Sequence, residues 1–359
     1  MSEPDVEGRR GRSYLDRVDS EPPPQATLAR AVRHVDDILA QAIEFRTGAR
    51  ALLVADGRSA LARLLLAAYR RCLPGAEVLD FDAVPPAEVH AAFERLVPRD
   101  LVVLIQSTSF RLDAYRIRLE LFRRGLCVIE HPHLARMVGE GLAHYVDALA
   151  YDPAYYRGVG GALKQRLDRA STVELMSGGE RLVFAGGLEP TKLNVGDYRG
   201  ARNVGGQFPI GEVFTEAREL GAVNGRVRIA FFGDAAFEIA RPEPPITLVV
   251  ERGRVTRALD STRAFDEVLE NIRADEGEIL VREFGCGLNR ALTPRNIVND
   301  VGTFERMCGV HLSLGAKHAS YKKPGVERES AKHHVDVFPV VEAVLLDGQN
   351  VFVDGEWRC

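Results

Sequence analysis

Between residues 49 and 129 the chain alternates short apolar runs with segments of helical periodicity, and few folds accommodate that alternation. ARALLVA (49–55), LVVLIQ (101–106) and LCVI (126–129) carry apolar side chains at successive positions, so as strands they need cover on both faces. Residues 77–81 read as a further strand. Between these runs, 59–72, 86–96 and 115–124 repeat apolar residues at helical spacing, as do 27–46 ahead of them. Strand and helix in turn imply βαβ units, hence a mostly parallel sheet with helices on both faces. Residues 154–170 read as one more helix, and 172–176 and 181–185 as short strands.

After about residue 190 the pattern becomes strand-rich. RVRIAFF (226–232), ITLVVE (246–251) and 253–257 read as sheet, the last two joined by a hairpin at Arg252-Gly253. A helix over 262–273 precedes a strand over GEILVREF (277–284). Residues 334–345 and 350–353 read as further strands, with Asp347-Gly348 as a hairpin turn. The expected organisation is a charged, proline-bearing arm over 1–24, an α/β domain over 25–195 and an α+β domain over 196–359. The arm cannot bury enough apolar surface to offset its ordering entropy. The boundary is expected near 185–205.

Several function classes drop out. A net charge of -4 with no block of one sign gives nucleic acid no broad basic surface. No run approaches the roughly 18 apolar residues of a membrane span, and the polar start has no apolar signal core, so a cytoplasmic protein is expected. Five cysteines without a C-x-x-C pair argue against a disulfide framework; Cys286 and Cys308 flank interesting motifs but read as small packed residues. Gly-Gly pairs at 160–161, 178–179, 186–187 and 205–206 lack the spacing of a nucleotide cradle and read as turns and bulges. The Glu130-His131-Pro132-His133 cluster lies at the C-terminal end of a parallel strand, the edge that ligands favour, yet reads as loop structure.

The residues with metal chemistry gather in the strand-rich half. In a strand, His334 and Asp336 project from one face, imidazole beside carboxylate. His311 sits among apolar residues in GVHLSLG, where a buried imidazole needs a partner or loses its charge. Glu283 ends an apolar strand just before the two glycines of REFGCGLN, and Glu212 follows GGQFPIG in what reads as a rigid loop. Two imidazoles and three carboxylates are a plausible divalent-metal set.

GGQFPIGEVFTE, REFGCGLN, GVHLSLGA and HHVDV, in that order, resemble the motifs of the aminopeptidase T family of metallopeptidases, whose architecture is shared by the 2,5-dihydroxypyridine 5,6-dioxygenases. The resemblance covers residues 205–357. It implies that Glu212, Glu283, His311, His334 and Asp336 hold two divalent ions (Zn, Mn or Co), and that the protein is a homodimer. It implies a hydrolase of short peptides or amide-like substrates, with Glu212 serving in catalysis as well as in metal binding.

Two departures stand out. The family's tyrosine seven residues after the third ligand is His318 here, and a tyrosine follows at Tyr321. His318 reads equally as an acid/base group, an extra ligand or a solvated loop residue. The segment from His311 to His334 is short and carries Lys317, Lys322, Lys323 and Lys332 with Glu327 and Glu329, a basic cluster that either meets an anionic substrate group or is simply solvated. The dioxygenase branch implies instead one Fe(II) on His311, His334 and Asp336, with a hydroxylated heteroaromatic as substrate. A third expectation is a non-hydrolytic peptide-binding or peptide-tailoring protein on the same fold. All three expect a small peptide or small-molecule partner.

Overall fold

The computed structural model describes residues 25–112, 116–326 and 329–359; the expected arm over 1–24 lies outside them. The described residues form two compact units, residues 25–135 with Tyr198–Phe208, and Arg136–Asp197 with Pro209–Cys359. The strand-rich unit thus takes in residues 136–197, which lie ahead of the boundary expected near 185–205.

The described part of the first unit starts with helix α1 (Gln25–Asp37), which runs on into a π-helical turn over Ile38–Ala42. Strands β1 (Ala51–Ala55), β2 (Glu77–Asp80), β3 (Leu101–Ile105) and β4 (Cys127–His131) alternate with helices α2 (Ala60–Cys72), α3 (Pro86–Glu94) and α4 (Ile117–Arg123). The strands pair in parallel in the order β2, β1, β3, β4 and then Val204–Gln207. Every residue of β1 and β3 is buried, as two-sided cover requires. Leu52, Val54, Val102 and Leu104 pack with Val89 and Phe93 of α3 and Leu121 of α4. Burying one such side chain contributes roughly 1.5–3 kcal/mol. Ser59 caps α2 by accepting from the Ala62 amide at 3.1 Å.

The fifth parallel strand, VGGQ, was hidden by its glycines. At Gly205, with φ +99°, a Cβ would lie 1.9 Å from the Val128 carbonyl oxygen, so only glycine lets this strand close on β4. Of the other Gly-Gly pairs, 178–179 and 186–187 lie in turns with positive φ, whereas 160–161 lies inside the helix Pro153–Arg169.

The second unit is built on a large antiparallel sheet. Four of its strands run side by side: Glu212–Glu216, Val281–Gly287, Gly309–Leu314 and Val335–Pro339. Asp347-Gly348 forms the expected hairpin turn, both residues at positive φ. All five cysteines are free. Among the described residues, no helix is long and apolar enough to cross a membrane.

Candidate metal centre

Sheet register gathers the candidate ligands. Gly287 pairs with Glu212, and Gly285 with His311. Ser313, two residues beyond His311, pairs with Asp336. Paired residues share a face, and so do alternate residues along a strand. Glu212, Glu283, His311 and Asp336 therefore project from one face of the sheet, and all four are buried. The Glu212 segment, expected as a rigid loop, is a strand, and that is what fixes its carboxylate in this row.

His311 reaches across the neighbouring strand. Its Nε2 lies 3.1 Å from Glu283 Oε1 and 3.5 Å from Glu212 Oε1. The imidazole occupies the space above Gly285, where a Cβ would come within 2.0 Å of that same Nε2. The glycine in REFGCGLN is the gap through which the imidazole meets both glutamates.

His334 Nδ1 donates to the Lys317 carbonyl at 3.0 Å. In the neutral ring the lone pair then sits on Nε2, facing Asp336 Oδ1 at 3.2 Å. Oδ1 is buried and has no hydrogen-bond partner. A lone pair facing a buried carboxylate needs a proton or a cation between them. Two imidazole nitrogens, on His311 and His334, thus each confront carboxylate oxygen, and the donor set fits a divalent metal.

In the absence of metal, protons do this work. Burial disfavours the charged His334 imidazole, but Asp336 and Glu283 outweigh burial and push it up to about 10. His311 is likewise raised against burial by Glu283 and Glu212. Glu283 is held below its usual range, because His311 and His318 outweigh the cost of burying it. Burial raises Glu212, with Arg306 and His311 opposing. Since the folded-state His334 value lies above that of the free side chain, its contribution to stability is complete below about pH 6.5 and is lost as pH rises toward 10. Chelator-treated protein is therefore expected to melt at progressively lower temperature between those limits, and metal-loaded protein to melt almost independently of pH there. Thermal denaturation across that range, with and without chelator, checks both halves.

His318 joins the cluster. Its Nδ1 accepts from the Ser320 amide at 3.2 Å, which leaves the ring proton on Nε2, 2.8 Å from Glu283 Oε2. Tyr321 does not reach the ligands: its hydroxyl donates to the Pro190 carbonyl at 2.8 Å. Sequence reasoning missed two further residues. Glu305 brings a carboxylate oxygen within 4.8 Å of ligand atoms of Glu212 and His311. Arg306, buried, places Nη2 3.5 Å from Glu212 Oε2 and donates through Nη1 to the Gly302 carbonyl at 2.6 Å. Their only signal was a charged pair inside the otherwise apolar run VGTFERMCGV.

The basic cluster divides. Lys323 is buried against Glu189 and lies 3.3 Å from Glu216 Oε1, and Glu216 also accepts from Arg282 Nε at 2.6 Å. This buried network ties the strand bearing Glu283 to the one bearing Glu212. Lys332 pairs with Asp275 at 2.8 Å. Of the other charged residues in that segment, Lys317, Lys322 and Glu329 are exposed, and Glu327 lies outside the described residues. In the parallel-sheet unit, His131 is fully buried with Nε2 2.8 Å from the Tyr69 hydroxyl, and burial lowers it to about 3. His133 lies 2.6 Å from Ser109 Oγ, and Glu130 2.6 Å from Arg118. These residues serve as local structure.

No family model and no curated protein sequence matches the chain. Solved structures do. The likeness is one of fold. A 2,5-dihydroxypyridine dioxygenase from Pseudomonas putida KT2440 superposes with a TM-score of 0.59 at 15% identity, over 92% of this chain and 97% of that one. AmpT from Thermus thermophilus, an aminopeptidase T, gives 0.57 at 14% identity, over 92% of this chain and 99% of that one.

Proposed function

We propose that the chain is a metal-dependent hydrolase of short peptides or amide-like substrates, with divalent ions held by Glu212, Glu283, His311, His334 and Asp336. One observation carries the reading: two imidazoles, His311 and His334, each bring a nitrogen within 3.5 Å of carboxylate oxygen on the same sheet face, a donor set able to hold cations at two places. Two ions side by side need a surplus of carboxylates to offset their repulsion, and Glu212, Glu283 and Asp336, with Glu305 close by, supply it. When bound, such a pair polarises an amide carbonyl and acidifies water. The likeness to AmpT agrees with this reading at the level of fold.

The protein's own groups then divide the remaining work. Glu212, raised by burial, is suited to take a proton and to return it to a leaving amine. His318 points its Nε2 proton at Glu283 and is suited to hold that carboxylate in place. Replacing His318 with Ala is expected to lower kcat roughly tenfold to a hundredfold, the usual scale for a group that orients a metal ligand. Replacing Tyr321 with Phe is expected to leave kcat within about threefold and to cost about 1 kcal/mol of stability, one hydrogen bond's worth. Steady-state kinetics on a panel of dipeptides and tripeptides, with elemental analysis alongside, measures these effects.

A second reading has one observation in its favour. Arg306 gives Glu212 a permanent cationic neighbour, so Glu212 has an alternative to metal. On that reading His311, His334 and Asp336 hold a single Fe(II) for ring cleavage, as in the facial triads. Anaerobic purification separates the readings. Two zinc, manganese or cobalt ions with peptide cleavage support hydrolysis; one oxygen-sensitive iron without cleavage supports the dioxygenase; no metal with peptide retained supports a binding protein.

A further inference from the structure

The helix Arg263–Glu276 ends on two acids, Asp275 and Glu276. A helix C-terminus disfavours carboxylates, because its unsatisfied carbonyls already make that end negative. The partners of Glu276 show what its placement achieves. Its half-buried carboxylate accepts three backbone hydrogen bonds of 2.7 Å: Oε1 takes the amides of Lys332 and His333, and Oε2 takes the amide of Ala316. Hydrogen bonds this short to a charged acceptor are stronger than those between neutral groups.

Those amides belong to two segments that cross beside the candidate metal centre. The Lys317 amide donates to the His333 carbonyl at 3.0 Å, and His334 Nδ1 donates back to the Lys317 carbonyl at 3.0 Å. The crossing is close. At Gly315 (φ +106°) a Cβ would lie 2.4 Å from the His333 carbonyl oxygen. Each segment delivers one imidazole: His334 follows the clamped amides of Lys332 and His333 directly, and His318 follows Ala316 by two residues. The two rings stand 6.0 Å apart. From there His334 Nε2 faces Asp336 at 3.2 Å, and His318 Nε2 faces Glu283 at 2.8 Å. Glu276 bonds the backbone of both segments. Asp275, by contrast, meets side chains on the surface, Lys332 Nζ at 2.8 Å and His333 Nε2 at 2.7 Å.

We propose that Glu276 is a positioning residue for the metal centre: by clamping the two segments where they cross, it fixes where His334 and His318 stand. The proposal rests on the reading of the centre as a metal site. Reach decides its action more than charge does, because one carboxylate has to span both segments at once.

The test is the affinity of the full-length protein for zinc, manganese and cobalt, measured by competition with a chromophoric chelator. Hydrogen–deuterium exchange of chelator-treated protein accompanies it. Glu276→Ala is expected to bind metal at least about tenfold more weakly, the scale on which groups supporting metal ligands act. It should also lose protection at the amides of Ala316, Lys332 and His333. Glu276→Asp keeps the charge but is one methylene short, and should resemble Glu276→Ala. Glu276→Gln keeps the reach, and its amide oxygen has two lone pairs for the Lys332 and His333 amides, so metal should bind within about threefold of wild type. Asp275→Ala removes an equal charge from the same helix end and should bind metal as wild type does, since exposed ion pairs contribute little. Should Glu276→Ala fail to fold, the Asp and Gln variants carry the same comparison. Unchanged affinity in Glu276→Ala or Glu276→Asp, unchanged protection at the three amides, equal loss in Glu276→Gln and Glu276→Asp, or the same loss in Asp275→Ala would each overturn the proposal while leaving the metal reading intact. A wild type that binds none of the three metals would overturn the metal reading, and the proposal with it.

Discussion

Replacing Asp336 with Ala is expected to abolish metal retention and to lower hydrolysis by roughly a thousandfold or more, about 4 kcal/mol of transition-state stabilisation. Asp336 faces His334 Nε2 at 3.2 Å, and its Oδ1 is buried without a hydrogen-bond partner. In the metal-free protein the same carboxylate pairs with the protonated His334 imidazole and helps raise it to about 10. Metal-free Asp336→Ala protein should therefore melt below metal-free wild type near neutral pH, and with less dependence on pH. Asp336→Asn separates charge from shape: it keeps the volume and should lose metal almost as completely. Elemental analysis, kinetics and chelator-treated melting curves of the same preparations test all three statements. An aspartate with a structural role alone would lose stability while metal content held.

The second large effect needs only one methyl group. Gly285→Ala places a Cβ 2.0 Å from His311 Nε2. Either the imidazole swings away from Glu212 and Glu283, or the two strands part. Overpacking of this kind costs about 1–3 kcal/mol, and displacing a ligand by an ångström is expected to reduce metal affinity and turnover by roughly a hundredfold. No side chain is deleted, so the loss isolates the placement of His311. Neighbouring Cys286, fully buried, provides the contrast: Cys286→Ala should lose packing but leave metal content intact.

Much of the parallel sheet was legible because its strands carry their own signal. β1 and β3 are apolar at every position, and burial on both faces is the only arrangement that satisfies such runs. The fifth strand was not legible, since VGGQ has almost no side chains and its place is set by a close approach to Val128 that no local pattern records. The candidate ligands divide the same way. His334 and Asp336 follow strand periodicity and could be read as a pair. Glu212 and Glu283 could be singled out by their glycine-bearing surroundings but joined to one site only through a resemblance of motifs, because what brings them to His311, 99 and 28 residues further along the chain, is cross-strand register. Glu305 and Arg306 enter from the end of a four-residue helix, Val301–Phe304, and nothing in their spacing from the other ligands announces them. His318 differs again. Its three readings could be separated only by finding Ser320 on Nδ1 and Glu283 opposite Nε2, which makes the ring a proton donor toward the cluster.

That pattern has a physical reason. Periodicity reports which face of an element is buried, whereas a metal centre depends on which faces meet. Here four strands share one row of side chains, and the register of three strand pairs decides its membership.

The most direct test is the number of metal ions per chain after anaerobic purification, in wild type and in Glu212→Ala and His334→Ala. The account predicts two divalent ions in the wild type and a substantial loss in each variant, with the fold retained by circular dichroism. Unchanged metal content in both variants would contradict it.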